Sequence, residues 1–268
     1  MAIRLKFMAL ASAALLASAV TASAASVTID TTSFGTSQPG NITAARAAKA
    51  AFDGMFHRGV TEDFEGYAAS PSSNSGGAAS NPTTNPLQTK VGQFRSIGND
   101  GCGGSCITPS GDLQVRSGNV YGRYNTTANG ANFLDSNDNG GMLLRIPGAS
   151  GMRSMNGLSF FLTDIDDVGP KTFELFVGSS QIANKTVTGL DGKSGNLVLV
   201  TMMFSEAIDL TDSMNALRLR MSIEPGDGFG IDDVTVSAVP LPAAGLLLLG
   251  GLGGLGLMGR RKAAKATA

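Results

Sequence analysis

The chain has 268 residues, with 20 basic and 21 acidic side chains, one histidine, two cysteines and no tryptophan, and 42% of it is hydrophobic. Six of the basic residues (Arg4, Lys6, Arg260, Arg261, Lys262 and Lys265) lie at the two ends; without them the body holds 14 basic against 21 acidic residues, a net charge of −7. An acidic body argues against nucleic acid or an anionic membrane surface as partner, since both need a basic footprint, and it is compatible with cations.

Arg4 and Lys6 precede a small apolar run from Phe7 to Val20, and Ala22-Ser23-Ala24 follows. This order of positive region, short apolar core and A-x-A site predicts a signal peptide over residues 1–24 and export through the inner membrane. Residues 25–60 then read as an N-terminal segment with a short strand at Ser26-Val27-Thr28-Ile29 and one helix. Asn41 is the expected cap of that helix, and Ala44-Ala45-Arg46-Ala47-Ala48-Lys49-Ala50-Ala51 consists of strong helix formers, with Ile42, Phe52, Met55 and Phe56 supplying an apolar side. From 70 to 86 the chain is rich in Ser, Asn, Gly and Pro, too polar to bury a core, and is expected to be a flexible loop. Cys102 and Cys106 enclose Gly-Gly-Ser. In an oxidising compartment they are expected to form a disulfide that shapes a turn; a zinc pair lacks partners because His57 is the lone histidine.

The remaining body has the rhythm of a sheet. Leu158, Phe160 and Leu162 alternate with Ser159 and Thr163; Phe173, Leu175 and Val177 alternate with Glu174; Leu217, Leu219 and Met221 alternate with Arg218, Arg220 and Ser222. Period two with one polar face predicts half-buried antiparallel strands. Runs at 142–146, 197–203 and 231–236 add three more, and Asn-Gly and Asp-Gly pairs separate them. The expected fold is mainly β, an antiparallel β-sandwich of jelly-roll type over residues 61–238.

Acidic clusters are the best candidates for a site. Glu62-Asp63-Phe64-Glu65 opens the sandwich and Asp227-Gly228-Phe229-Gly230-Ile231-Asp232-Asp233-Val234 closes it. First and last strands of a sandwich often pair, so these carboxylates are expected to meet, and several oxygens at one seam suit calcium. Asp135-Ser136-Asn137-Asp138-Asn139-Gly140 copies half of an EF-hand loop but has Ile146 where a bidentate Glu belongs, so a plain hairpin explains it better. Asp164-Ile165-Asp166-Asp167 reads first as a turn that ends a strand. Tyr121-Gly122-Arg123-Tyr124 is the one aromatic and basic cluster, which makes Tyr121, Arg123 and Tyr124 the candidate sugar-binding residues. Catalytic signals are poor: one histidine, His57, is the only possible imidazole base for a nucleophile.

The chain ends with Val239-Pro240-Leu241-Pro242-Ala243, an uncharged stretch of 16 residues from Ala243 to Met258, and Arg260-Arg261-Lys262. A helix of that length covers only about 24 Å at ~1.5 Å per residue, short of a bilayer core of about 30 Å. The prolines favour an extended, accessible segment before it. This order resembles the PEP-CTERM family of sorting signals, in the variant with the pentapeptide Val-Pro-Leu-Pro-Ala, over roughly the last 30 residues. The resemblance implies a sorting signal over 239–268 with a transmembrane helix at 243–259. Val239 to Ala243 would be recognised by an exosortase, a membrane protease, and Arg260, Arg261 and Lys262 would act as the stop. The chain would be anchored transiently and then delivered to the cell surface or extracellular matrix, where exopolysaccharide is a candidate partner.

The Asp-Phe-Glu strand and the closing Ile-Asp-Asp-Val strand resemble those of calcium-containing jelly rolls, both carbohydrate-binding modules and MAM-type adhesion domains. This implies Asp63, Glu65, Asp232 and Asp233 as ligands of a structural calcium ion; the MAM cysteine pattern is absent. Together these readings lead to an exported, non-catalytic β-sandwich, with a calcium-dependent carbohydrate-binding module, or a secreted jelly-roll hydrolase, as alternatives.

Overall fold

A computed structural model describes residues 26–71, 86–97, 113–136, 141–148, 151–165, 171–187, 193–211, 216–222 and 228–238. The signal peptide, the cysteine pair Cys102 and Cys106, the sorting pentapeptide and the expected helix over 243–259 lie outside these residues, as does most of the 70–86 loop. Among the described residues no helix is long and apolar enough to cross a membrane.

The chain enters through strand β1 (Val27–Thr36), helix α1 (Pro39–Asp53) and β2 (Arg58–Glu62). Short strands follow: β3 (Ser70–Pro71), β4 (Leu87–Gln88), β5 (Gln93–Ser96), β6 (Gln114–Ser117), β7 (Asn119–Val120), β8 (Arg123–Tyr124) and β9 (Asn132–Asp135). Longer ones complete the fold: β10 (Gly141–Ile146), β11 (Ser154–Thr163), β12 (Lys171–Val177), β13 (Ser180–Val187), β14 (Asn196–Asp209), β15 (Leu217–Ser222) and β16 (Gly230–Ala238). One sheet has the order β1-β14-β11-β16-β9-β6-β3, with β2 also on β16, and a second has the order β13-β12-β15-β10-β5-β4. From β9 onward the chain steps from sheet to sheet, except at the β12–β13 hairpin, and lays down β9-β16-β11-β14 against β10-β15-β12-β13. That interleaving of two four-stranded sets is the jelly-roll connectivity.

The sheets pack face to face on one core. Leu158, Phe160 and Leu162 of β11, Val198, Val200 and Met202 of β14, and Ile231, Val234 and Val236 of β16 meet Phe173, Leu175, Leu217, Leu219, Met142 and Leu144 of the second sheet. Phe160 and Phe173 touch edge to face across the sandwich, ring centres 6.4 Å apart, and Phe64 meets Phe94 at 5.7 Å in the same way. Such pairs fix the relative position of the sheets beyond what apolar burial supplies.

β11 and the first half of β14 depart from the expected single polar face, because both of their faces are covered there. Helix α1 lies on the outer side of the first sheet, where Ala45 packs with Phe161, Leu197, Leu199 and Tyr124, joined by Phe34, Ile42 and Ala48. Alanines let the helix approach closely. Phe56, just beyond it, rests on Gly157, where an added Cβ would come within 2.3 Å of the ring. The helix begins earlier than its asparagine suggests: Pro39 occupies the first turn, where its missing N–H costs nothing, and Asn41 instead donates its amide to Thr36 O at 3.0 Å.

Candidate functional site

β16 shares one edge between two partners. Gly230 and Ile231 pair with Asp135 and Leu134 of β9, while Val234 to Ala238 pair with Glu62 to Arg58 of β2. Between the two stretches lie Asp232 and Asp233, and the register against β11 shifts there, between Ser159 and Phe161. Asp233 takes a left-handed φ of 50° and Phe64, at the end of β2, one of 57°. This is a β-bulge in a strand whose neighbour changes, a device that re-aims side chains. The expected meeting of the opening and closing acidic strands is therefore real at the backbone.

The segment 125–132 fills the gap, and the carboxylates hold it. Asp232 Oδ2 accepts from Thr126 N at 2.6 Å, Thr126 Oγ1 at 2.9 Å and Thr127 N at 3.2 Å. Asp233 accepts from Thr127 Oγ1 at 2.8 Å and Thr126 Oγ1 at 3.1 Å. Glu65 Oε1 accepts from Ala131 N and Asn132 N, both at 2.8 Å, and a Cβ on Gly130 would come within 2.3 Å of the same oxygen. Glu62, which is fully buried, accepts from Phe64 N and Lys90 N at 2.9 Å each. Asp63 faces Lys90 Nζ at 3.4 Å and accepts from Glu65 N at 3.3 Å. Hydrogen bonds from N–H to carboxylate are among the stronger ones, so Glu62, Glu65 and Asp232 act as clamps on backbone, while Asp233 holds threonine hydroxyls.

Asp232 is 1% exposed. Burial pushes its carboxyl well above the ordinary range and the charge of Asp233 pushes it further, against the opposing pull of the Thr126 donors and Asp233 N. Asn125 ties it to Glu65: its amide nitrogen lies 3.0 Å from Glu65 Oε1, 2.7 Å from Asn132 O and 3.3 Å from Asp232 Oδ2. Of the four expected ligands, then, Glu65 and Asp232 converge on one nitrogen, Asp233 turns to threonine hydroxyls and Asp63 to a lysine. Among the described residues no group of three or more His, Cys, Asp or Glu side chains is placed to hold a metal ion.

Of the three expected sugar-binding residues only Tyr121, 52% exposed, reaches the surface. Arg123 and Tyr124 are buried, so no platform of two tyrosines forms. The Tyr124 hydroxyl lies 3.4 Å from Gly195 O, and burial, with Asp164 nearby, raises its pKa beyond the ordinary phenol range. Arg123 belongs to a buried ionic cluster that sequence reasoning missed: Arg123 Nη1 and Arg116 Nε meet Asp135 at 2.9 and 2.6 Å, and Asp164 lies 3.7 Å from Arg123 Nε. Asp135, read above as the start of an EF-hand-like loop, is thus a buried counter-ion. Asp164, with a φ of 61°, accepts from Gly195 N at 2.7 Å, in keeping with a turn that ends β11. Two acids and two arginines balance their charge, and no spacing in the sequence announces that. His57 is exposed between α1 and β2.

No family model and no curated protein matches the chain. Among solved structures, the K2 adhesin domain of Lys-gingipain is similar at 12% identity with a TM-score of 0.39, over 67% of this chain and 97% of that one. The K1 domain of the same protein from Porphyromonas gingivalis W83 is similar at 12% identity and 0.33, over 68% and 99%. A carbohydrate-binding and xylanase module pair from Clostridium thermocellum gives 16% and 0.31, over 67% of this chain and 28% of that one. At such scores the jelly-roll assignment rests on the strand order itself.

Proposed function

We propose that the protein is an exported, non-catalytic binding module, carried out by its N-terminal signal, held briefly by its tail, cut by an exosortase at Val239 to Ala243 and left on the cell surface or in the matrix. One observation supports the non-catalytic part most: Glu62, Glu65, Asp232 and Asp233 spend their oxygens on backbone amides and hydroxyls of neighbouring segments, which is the work of a scaffold. The sorting part rests on the two terminal signals in the sequence. Mass spectrometry of the mature protein from its native host tests it. A C-terminus near residues 239–243 is expected, and a released form that still ends at Ala268 overturns the sorting.

A second reading, a structural calcium ion, is favoured by Asn125. An amide nitrogen carries two hydrogens, yet three oxygens lie within 3.3 Å of this one. Glu65, Asp232 and the Asn132 carbonyl would hold the ion, which would supply positive charge beside the buried Asp232. Thermal melts with calcium and with chelator separate the readings. A stabilising shift with calcium that Asp232→Asn abolishes supports the ion, and identical melts remove it.

A further inference from the structure

The outer face of the second sheet carries a charge opposite to that of the body. Strand register places its outward side chains in two rows. Arg95, Leu143, Arg220 and Glu174 lie side by side on β5, β10, β15 and β12, and in the next row Gln88, Gln93, Arg145, Arg218 and Phe176 run from β4 to β12. Arg95 and Arg220 are exposed, and Leu143, Arg145, Arg218 and Phe176 are half-buried. Among the described residues of these two rows, four guanidiniums and one carboxylate, Glu174, share the face, on a body whose net charge is −7. Between them runs a cleft of about 440 Å³ lined by Pro86, Gln93, Arg95, Leu143, Arg145 and Arg218. That volume lies in the range of about 300–1,000 Å³ usual for ligand sites.

Arg145 and Arg218 are directly opposite across β10 and β15, and like charges so placed weaken a sheet. Arg218 is steadied by stacking over Phe176, 5.4 Å from the ring centre, and by the Gly178 carbonyl, which keeps its planar fork in place. Arg220 meets Glu174 at 3.5 Å. Held guanidiniums on a flat sheet present paired donors that fit carboxylates with two parallel hydrogen bonds.

We propose that this face binds an acidic, carboxylate-bearing polysaccharide. Three features favour that occupant over nucleic acid. Arg145 and Arg218 stand on neighbouring strands about 4.8 Å apart, so that a chain with repeated carboxylates can engage both at once. Leu143 and Phe176 offer apolar surface for the faces of the rings between them. The surrounding body is acidic and repels the dense charge of a nucleic acid, about one phosphate charge per 1.7 Å of duplex, more strongly than the sparser charge of a uronic acid chain. The proposal rests on the reading of the protein as a surface or matrix binding module and names its ligand class and its site.

The test measures binding of the purified mature chain to polygalacturonate by titration calorimetry at low and moderate salt, with neutral dextran and a short DNA duplex as competitors. Binding that weakens with salt and is not displaced by dextran is expected. The double variant Arg145→Gln/Arg218→Gln should lose about tenfold or more in affinity, as removal of central charged contacts does, while keeping its melting temperature. Arg153→Gln, away from this face, should bind as the unaltered chain does. No binding at low salt, equal affinity for dextran, tighter binding of the duplex, or full affinity in the double variant would each overturn the proposal. Those failures leave processing of the tail untouched, so they are distinguishable from failure of the sorting reading.

Discussion

The two outer faces of the sandwich are treated in opposite ways. On the first sheet the outer residues Phe161, Leu197 and Leu199 are apolar and lie beneath α1. The helix is also pinned by polar contacts: buried Lys49 donates to Asp53 at 2.7 Å and to Thr235 Oγ1 at 2.6 Å, and Ser159 Oγ donates to Asp53 at 2.6 Å. On the second sheet the two outward rows hold arginines, glutamines and one glutamate, with Leu143 and Phe176 among them, and β10 and β15 alternate between core and solvent. One face is covered by the chain itself, and the other is left open by the described residues. The difference is why the proposed binding is placed on the open face, where packing does not account for the arginine rows.

The largest expected effect separates the faces directly. Phe161→Ala empties the space beneath the helix and should cost about 3–5 kcal/mol, whereas Arg95→Ala on the open face should stay within about 0.5 kcal/mol. Urea denaturation measures both, and equal losses would mean that the second face is covered after all. Next in size is Lys49→Met, which keeps the aliphatic length but removes the ammonium that donates to Thr235 Oγ1 and to one oxygen of Asp53. A loss of roughly 1–3 kcal/mol is expected. A loss under about 0.5 kcal/mol would show that the Lys49 contacts are not what holds the helix.

These contrasts also explain what could be read beforehand. β15 was legible because it obeys one rule: Leu217, Leu219 and Met221 face the core while Arg218 and Arg220 face outward. β11 and β14 were legible as strands but not in their surroundings, because Phe160-Phe161 and Leu197-Val198-Leu199-Val200 are apolar on both faces, a signal that something covers the second one. The helix was expected, but its start was missed because proline at the first turn replaced a side-chain cap. At the seam, the pairing of the acidic strands followed from topology, while the role of the 125–132 segment depended on a bulge that spacing does not reveal. Net charge pointed to an acidic surface and concealed the arginine rows, because a sum over the chain does not say which side chains share a face.

A smaller effect tests what joins the two sheets at their edge. Tyr67 places its hydroxyl 2.9 Å from Gln88 O on the second sheet and 3.4 Å from Glu62 Oε2 on the first. Burial, then the charge of Glu62 and its hydrogen bond, then Asp63, raise its pKa from 10.0 to about 12. The folded state therefore keeps this proton where the unfolded chain releases it. The contribution is fully present below about pH 10 and is lost as pH rises towards about 12. Tyr67→Phe should cost roughly 0.5–1.5 kcal/mol at neutral pH and flatten the fall in stability over that alkaline window. An unchanged slope in pH-dependent melts would show that the strap between the sheets lies elsewhere.

The smallest effect on stability carries the sharpest statement about the open face. Glu174 sits in the arginine row, 3.5 Å from an Arg220 whose side chain is half in solvent. An exposed pair of this kind contributes about 0–1 kcal/mol, so Glu174→Gln should scarcely move the melting temperature. For binding the same substitution works in the other direction. It removes the carboxylate that, among the described residues, competes with a ligand for Arg220, and it raises the positive field of the row. Affinity for polygalacturonate should therefore rise, and its salt dependence should steepen. A covered, structural face would show the opposite pattern, with stability lost and binding unmoved.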